Sequence, residues 1–163
     1  MLYLLLNNTR SLLNVGAIFR TADAVGVSKI LLTGATGCPP RHEISKTALG
    51  AQNTVDWEYF VDPMEAIESI RVNRTGERPF ARTMVIALEQ TSKSQNIFNW
   101  QIPDNFEGGM ILIVGHEREG VEQKLLDKAN VHLEIPMFGQ SAKSLNVATA
   151  TGIALYELKR KLS

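Results

Sequence analysis

Short, uninterrupted apolar runs alternate with amphipathic stretches along this chain of 163 residues. Such runs predict strands buried on both faces, which occur in parallel sheets covered by helices. The predicted strands are 2–6, 29–33, 83–88, 110–114 and 131–135, and the predicted helices are 15–25, 42–50, 63–72, 121–129 and 144–161. Residues 55–60 are too short a segment to assign, and residues 89–107 look irregular. The alternation predicts an α/β fold with a parallel sheet flanked by helices.

Length and composition restrict the class of protein. The chain fits a single domain over residues 1–163, with 44% hydrophobic residues to build a core. Seventeen Lys and Arg balance seventeen Asp and Glu, so any nucleic-acid partner must be bound by a local patch. A single cysteine excludes an internal disulfide, and three histidines argue against a metal site. No stretch resembles a signal peptide or a membrane span, so we expect a cytoplasmic protein.

Candidate binding residues are sought beyond the carboxyl ends of the predicted strands. In an open α/β sheet ligands bind there, because loops are free and helix N-termini present their N–H groups. Three segments in such positions carry polar residues, namely 7–20, 115–120 and 135–147.

The segment from Gly115 to Gly120 follows an apolar strand directly. Its two glycines would let the backbone approach a ligand closely. It is not a phosphate-binding loop, because Val121 and Glu122 stand where that loop needs Lys and Ser or Thr. It is not a zinc-protease motif either, since Gly120 replaces the second histidine. A tight strand-to-helix turn without a ligand is the alternative interpretation.

The other two segments each offer a functional and a structural interpretation. We expect Ser144 to be the N-cap of the last helix, with Asn146 in its first turn, where it could orient a polar substrate group. Arg20 falls on the apolar side of the first helix, and buried arginine is rare unless it is paired or faces a site. The alternatives are a capping role for Asn14 and a snorkelling surface position for Arg20.

Taken together, these segments resemble the SpoU (TrmH-type) branch of the SPOUT RNA methyltransferases. The resemblance rests on Asn14-Val-Gly-Ala-Ile-Phe-Arg20-Thr-Ala, on Ile113-Val-Gly115-His-Glu117-Arg-Glu-Gly120, and on Ile135-Pro-Met-Phe-Gly139 with Ser144-Leu-Asn146-Val and Tyr156-Glu157. Thr47-Ala-Leu-Gly-Ala51 is also similar to a family segment. The sequence departs from the pattern between Gly139 and Ser144, where it has four residues, one more than expected.

The resemblance implies a fold, a cofactor and roles for particular residues. The C-terminal part of the sheet would be threaded into a deep trefoil knot whose loops bind S-adenosylmethionine. Arg20 would assist activation of a ribose 2′-hydroxyl of RNA, while four other residues shape the site: Asn14, Glu117, Ser144 and Asn146. The cofactor would be held around Leu88, Gly115, Gly120, Ile135, Met137 and Leu145.

The resemblance also implies partners. We expect an RNA substrate, with tRNA favoured over rRNA, and a homodimer paired through the first and last helices. No separate RNA-binding extension is recognised, and no metal or membrane is implied.

A non-catalytic RNA- or nucleotide-binding module is the alternative function. Its support is a polar stretch that could contact phosphates, formed by Arg71, Arg74, Arg78 and Arg82. A solvated surface loop explains the same stretch. A small-molecule methyltransferase is a third, weaker alternative.

Overall fold

The computed structural model describes residues 1–71 and 83–163, and these form one sheet in which every neighbouring pair of strands is parallel. The strands are β1 (Leu2–Asn7), β2 (Lys29–Thr33), β3 (Trp57–Phe60), β4 (Thr83–Leu88), β5 (Gln95–Asn96), β6 (Gly109–Val114) and β7 (Val131–Glu134). The helices are α1 (Leu12–Val25), α2 (His42–Ala48), α3 (Pro63–Arg71), α4 (Gln123–Lys128) and α5 (Val147–Leu162), with a 3-10 turn at Ala51–Asn53. The predicted parallel α/β fold is confirmed.

The strands lie in the order β3-β2-β1-β6-β4-β7-β5, so β1 and β6 occupy the middle of the sheet. Every residue of these two strands is buried, as their continuous apolar sequences predict. Successive side chains point to opposite faces and build two cores. Leu4 packs with Phe19 and Leu155 on the face that α1 and α5 cover, and Leu5 packs with Ile67 and Leu125 on the face of α3 and α4.

Helix α1 begins and ends at residues suited to those positions. The Ser11 side chain accepts a hydrogen bond from the backbone N–H of Asn14, and Gly26 ends the helix with a left-handed φ of 75°. Inside the helix, Gly16 faces α2 at backbone contact, because a Cβ there would lie 2.2 Å from the Ile44 carbonyl oxygen. Helices α1 and α2 therefore pack too closely for any side chain at position 16.

Several predicted boundaries are wrong. The last helix begins at Val147 and not at Ser144, and α4 begins at Gln123 and not at Val121. The second helix, predicted over 42–50, ends at Ala48, because Leu49 takes the left-handed conformation that ends it and is 65% exposed. The unassigned segment 55–60 contains β3, and the segment expected to be irregular contains β5. Both strands lie at edges of the sheet, where burial and hence the apolar signal are weakest.

Part of the arginine-rich stretch falls outside the described residues. Arg71 ends α3 and pairs with Glu68 at 2.9 Å, whereas Arg74, Arg78 and Arg82 belong to the segment 72–82. Within 1–71 and 83–163, no helix is long and apolar enough to cross a membrane. Over the same residues, no group of three or more His, Cys, Asp or Glu side chains is placed to hold a metal ion.

The last turns of α5 are held by an ion-pair cluster around Glu157. Its carboxylate accepts hydrogen bonds from Arg160 at 2.8 and 2.9 Å and pairs with Lys161 at 3.0 Å. The Lys161 ammonium also donates to the Phe98 carbonyl oxygen at 3.3 Å, which ties the helix to the segment after β5. Hydrogen bonds from Arg160 and Lys161 lower the pKa of Glu157 to about 2.

This cluster predicts a specific dependence of stability on pH. The pKa of Glu157 is about 2 in the folded chain and about 4.3 when unfolded, so its stabilising effect is present above about pH 4.3 and is lost as the pH falls toward 2. Glu157→Gln should lower the free energy of unfolding by about 1 kcal/mol near neutral pH and by less at about pH 3. Urea unfolding at both pH values measures this. Glu107→Gln, which removes an exposed carboxylate, is the control. A deficit for Glu157→Gln that is independent of pH would contradict the assignment.

Candidate functional site

Three loops meet at the carboxyl edge of the sheet and enclose a cleft of about 230 Å³. They follow β4, β6 and β7, and the first turns of α5 close the cleft. The structure brings all six predicted cofactor residues to this cleft, together with two of the predicted catalytic residues: Leu88, Gly115, Gly120, Ile135, Met137 and Leu145, with Glu117 and Ser144. Asn14, Arg20 and Asn146 are not part of its lining.

The loop after β6 is a tight turn closed by its own backbone. His116 and Gly120 exchange two backbone hydrogen bonds of 3.0 Å each. Inside the turn, His116 Nδ1 accepts from the backbone N–H groups of Arg118 and Glu119 at 3.1 and 3.2 Å. These two donors require an unprotonated Nδ1, so the imidazole carries its proton on Nε2. One wall of the cleft is therefore rigid before any ligand binds.

The two glycines of this loop are explained by its own geometry. A Cβ on Gly115 would lie 2.2 Å from the Gly120 carbonyl oxygen, and Gly120 has a left-handed φ of +73°. Gly115 is therefore required by the close approach of the two ends of the loop, while a close approach to a ligand stays a prediction. The tight turn, offered above as the alternative, is present, and the same six residues line the cleft.

Glu89 connects the loop after β4 to the loop after β6, and the sequence analysis missed it. Its Oε2 accepts from the backbone N–H of Val121 at 2.9 Å, and its Oε1 accepts from its neighbour Gln90 at 2.9 Å. A Cβ on Gly120 would lie 2.1 Å from Glu89 Oε2, so the glycine also leaves room for this carboxylate. The available signal was an acidic residue placed directly after a buried strand. Glu134, at the end of β7, lines the cleft and was missed as well.

A hydrogen-bonded chain joins the three sequence motifs. The Glu117 carboxylate accepts from the backbone N–H groups of Ser11 at 2.9 Å and Arg10 at 3.3 Å, and it is also hydrogen-bonded to the Asn14 side chain. Asn14 Oδ1 in turn accepts from Asn146 Nδ2 at 3.1 Å. Asn146 Oδ1 caps α5 by accepting from the backbone N–H of Ala148 at 2.9 Å. Because Asn14 Oδ1 accepts from Asn146, the Nδ2 group of Asn14 is the donor to the Glu117 carboxylate.

Glu117 is held in its ionised form. Burial alone would raise the pKa of this carboxyl, but the hydrogen bonds from Ser11, from its own backbone, from Arg10 and from Asn14 outweigh burial and lower the pKa below its ordinary value. A carboxylate with a lowered pKa is a poor proton acceptor. Its role in this geometry is to anchor the start of α1 against the cleft wall.

Three predicted residues lie elsewhere than expected. Arg20 is exposed and not on the buried face of α1, whose buried residues include Ile18, Phe19 and Ala22. No carboxylate of the described residues forms an ion pair with its guanidinium. Ser144 does not cap α5. The N-cap residue is Asn146, whose side chain accepts hydrogen bonds from two backbone N–H groups. The Asn14 backbone N–H does contribute to helix capping, while its side chain serves the hydrogen-bonded chain.

Comparison with known proteins extends these observations. A model of the SpoU rRNA Methylase family matches residues 1–156. The chain is 31% identical over 151 residues to the 23S rRNA (guanosine(2553)-2′-O)-methyltransferase RlmP of Bacillus subtilis, which covers 90% of this chain and 53% of that protein. It is 32% identical over 155 residues to the tRNA (guanosine(18)-2′-O)-methyltransferase of Aquifex aeolicus, covering 95% and 67%. The chain thus spans about half the length of several curated relatives it matches.

Solved structures agree with the sequence relatives. The AdoMet-bound rRNA methyltransferase from Sinorhizobium meliloti superimposes with a TM-score of 0.82 at 30% identity, covering 99% of this chain and 57% of that one. A protein described under 2-OH methylation of C/U34 on tRNA superimposes with a TM-score of 0.78 at 26% identity, covering 99% and 96%. The motif segments, the parallel sheet and the family match coincide over nearly the whole chain, and the chain belongs to the SpoU rRNA methylase family.

Proposed function

We propose that this chain transfers a methyl group from S-adenosylmethionine to a ribose 2′-hydroxyl of RNA. The observation that carries the proposal is the cleft itself, because the loops after β4, β6 and β7 bring the residues of two family motifs together with Leu88. Relatives that share the family model are named 2′-O-methyltransferases of rRNA and tRNA.

We also propose the trefoil knot that the resemblance implies, formed by the segment from β7 into α5.

The residues of the cleft fit the proposed cofactor. Leu88, Ile135 and Leu145 provide apolar surface for an adenine ring. Carboxylates outnumber cations in the lining, which contains one arginine, Arg118, and four glutamates: Glu89, Glu117, Glu119 and Glu134. An excess of negative charge suits a ligand that carries a sulfonium and an ammonium group.

When bound, S-adenosylmethionine supplies an activated methyl group and leaves as the neutral thioether. The chain must then align the hydroxyl and favour loss of its proton. Glu117 is held ionised by its hydrogen bonds and serves to position α1, so the electrostatic work falls on another group. We propose that the exposed Arg20 guanidinium, which no described carboxylate neutralises, stabilises the developing alkoxide.

We propose tRNA as the substrate class. Support comes from two of the similar proteins described above, since the Aquifex aeolicus relative is named as a tRNA (guanosine(18)-2′-O)-methyltransferase and one solved structure is described under methylation of C/U34 on tRNA.

We further propose that the chain pairs with a second copy through α1 and α5. An exposed depression between these helices is lined by small or uncharged residues: Ala17, Thr21, Ala148, Thr149, Gly152, Ile153 and Tyr156. Tyr156 is 57% exposed and Leu13, on the neighbouring strip of α1, is 50% exposed. An uncharged surface of this kind on two packed helices is suited to burial against an identical surface.

The first test separates an enzyme from a binding module. Calorimetric titration with S-adenosylmethionine should give heat, and incubation with labelled cofactor and total tRNA should place label in 2′-O-methylated nucleotides resistant to alkaline hydrolysis. Heat without methylation of tRNA, combined with methylation of rRNA, would correct the substrate class. An absence of heat would contradict the catalytic proposal and favour the non-catalytic module.

The second test concerns Arg20. If its guanidinium stabilises the alkoxide, Arg20→Ala should lower the single-turnover rate of methyl transfer at saturating cofactor by about 10²-fold, with cofactor affinity nearly unchanged. Arg20→Lys should restore the rate only in part, because an ammonium lacks the planar fork. Rates are normalised to folded protein. A near wild-type rate in Arg20→Ala would show that the side chain only covers the helix surface.

The third test concerns self-association. Tyr156→Asp should convert the dimer to a monomer, since it places a charge in the centre of the proposed contact at a position already exposed in one chain. Light scattering at micromolar concentration measures the mass. Leu49→Asp, a charge at the 65% exposed position just after α2, is the matched control and should leave the dimer intact. A monomeric wild-type chain would contradict the proposal.

A further inference from the structure

The loop between β7 and α5 displays a phenylalanine to solvent beside the cleft. Met137 and Ser144 line the cleft, and the residues between them are exposed. Phe138 is 90% exposed, the highest value among the large hydrophobic side chains of the described residues. At the next position, a Cβ on Gly139 would meet no atom within 4 Å, so the tip of the loop is not packed against the domain. The fold itself gives no reason for an aromatic ring here.

Three exposed cations belong to the segments that border the cleft. Among the described residues, six of the Lys and Arg side chains form ion pairs with carboxylates: Lys29, Arg71, Lys124, Lys128, Arg160 and Lys161. Arg10, Arg118 and Lys143 are exposed and form no ion pair within the described part of the chain. The Arg10 backbone donates to Glu117, the neighbour of Arg118, and Lys143 directly precedes Ser144 of the cleft. These three side chains, Arg10, Arg118 and Lys143, are called the cationic rim below; they stand beside a cleft lining that itself carries four carboxylates.

We propose that Phe138 stacks on an unpaired nucleobase of the substrate RNA while the cationic rim contacts its phosphates. This inference rests on the proposed function. Sequence-tolerant binding of single-stranded RNA combines an exposed aromatic platform with a positively charged track, and each stacked base contributes about 1–3 kcal/mol. A duplex hides its base faces, so a displayed phenyl ring recognises loops and unstacked nucleotides. The substrate nucleotide accordingly lies in a single-stranded segment of the RNA.

The same ring has two other uses that the experiment must exclude. It could cover the bound cofactor, because its neighbour Met137 lines the cleft. It could also pack against a second copy of the chain. Stacking differs from both in requiring a flat aromatic ring and an accessible base.

The test uses fluorescence anisotropy to measure the binding of a mixed-sequence single-stranded oligoribonucleotide to the full chain. Phe138→Ala should weaken binding by about 5- to 100-fold. Phe138→Trp should bind as the wild type does, whereas Phe138→Leu, which keeps apolar area but no ring, should bind as weakly as Phe138→Ala. The same oligonucleotide annealed to its complement should show no difference among the variants. Phe98→Ala, at a 42% exposed phenylalanine outside the cleft lining, is the matched control and should leave binding unchanged.

Salt dependence separates the ring from the rim. Arg118→Gln should make the plot of log affinity against log salt concentration less steep, by the amount that corresponds to about one phosphate contact. Phe138→Ala should lower the affinity at every salt concentration without changing this slope. Wild-type binding by Phe138→Leu would overturn the stacking proposal. So would a loss of S-adenosylmethionine affinity in Phe138→Ala, a change in its mass by light scattering, or an absence of single-stranded RNA binding by the wild type. Because none of these readouts uses methyl transfer, failure of the proposed activity remains distinguishable.

Discussion

The organisation of the site depends on one carboxylate. Glu117 projects from the turn after β6 and accepts hydrogen bonds from the backbone N–H groups of Arg10 and Ser11. These bonds hold the loop that precedes α1 against the cleft wall. Asn14 extends this contact to Asn146, whose side chain also caps α5. Residues more than a hundred positions apart in the chain are thereby held in one hydrogen-bonded chain. Removal of Glu117 would take away the hydrogen-bond partner of the part-buried Ser11 backbone N–H and of the exposed Arg10 backbone N–H, and with them the link between this loop and the cleft wall.

This anchoring separates charge that is used for structure from charge that is available for chemistry. The hydrogen bonds that lower the pKa of Glu117 also make it a weak base, and Glu89 is likewise engaged with backbone N–H groups of Gln90 and Val121. Arg10, Arg20 and Arg118 have no such engagement of their guanidinium groups with described carboxylates. Glu117 and Glu89 hold the loops of the cleft in place, and the three arginines are the groups proposed above to act on a polyanionic substrate.

Sequence reasoning reached those features that depend on burial. Strands β1 and β6 were predicted because their apolar runs are covered on both faces. The end of α1 at residue 25 was predicted as well, and Gly26 takes the left-handed φ there that favours glycine. The edge strands β3 and β5 were not predicted, because a partly exposed or very short strand needs no apolar run in its sequence. The exposure of Arg20 was one of two interpretations that the sequence left open, and the link from Glu89 to Val121 was not predicted. Both depend on how separate elements pack, which no local pattern encodes.

The hydrogen-bonded chain also joins two surfaces that are proposed to have different partners. Asn14 and Asn146 lie at the starts of α1 and α5, one beside the cleft wall through Glu117 and the other at the end of the loop that carries Phe138. Further along the same two helices lies the uncharged depression proposed to pair with a second copy. A shift of α1 against α5 would stretch the bond between Asn14 and Asn146, disturb the cap of α5 and move the loop from 135 to 146. If two copies pair as proposed, the Asn14–Asn146 bond would couple that pairing to the shape of the cleft through the relative position of these helices.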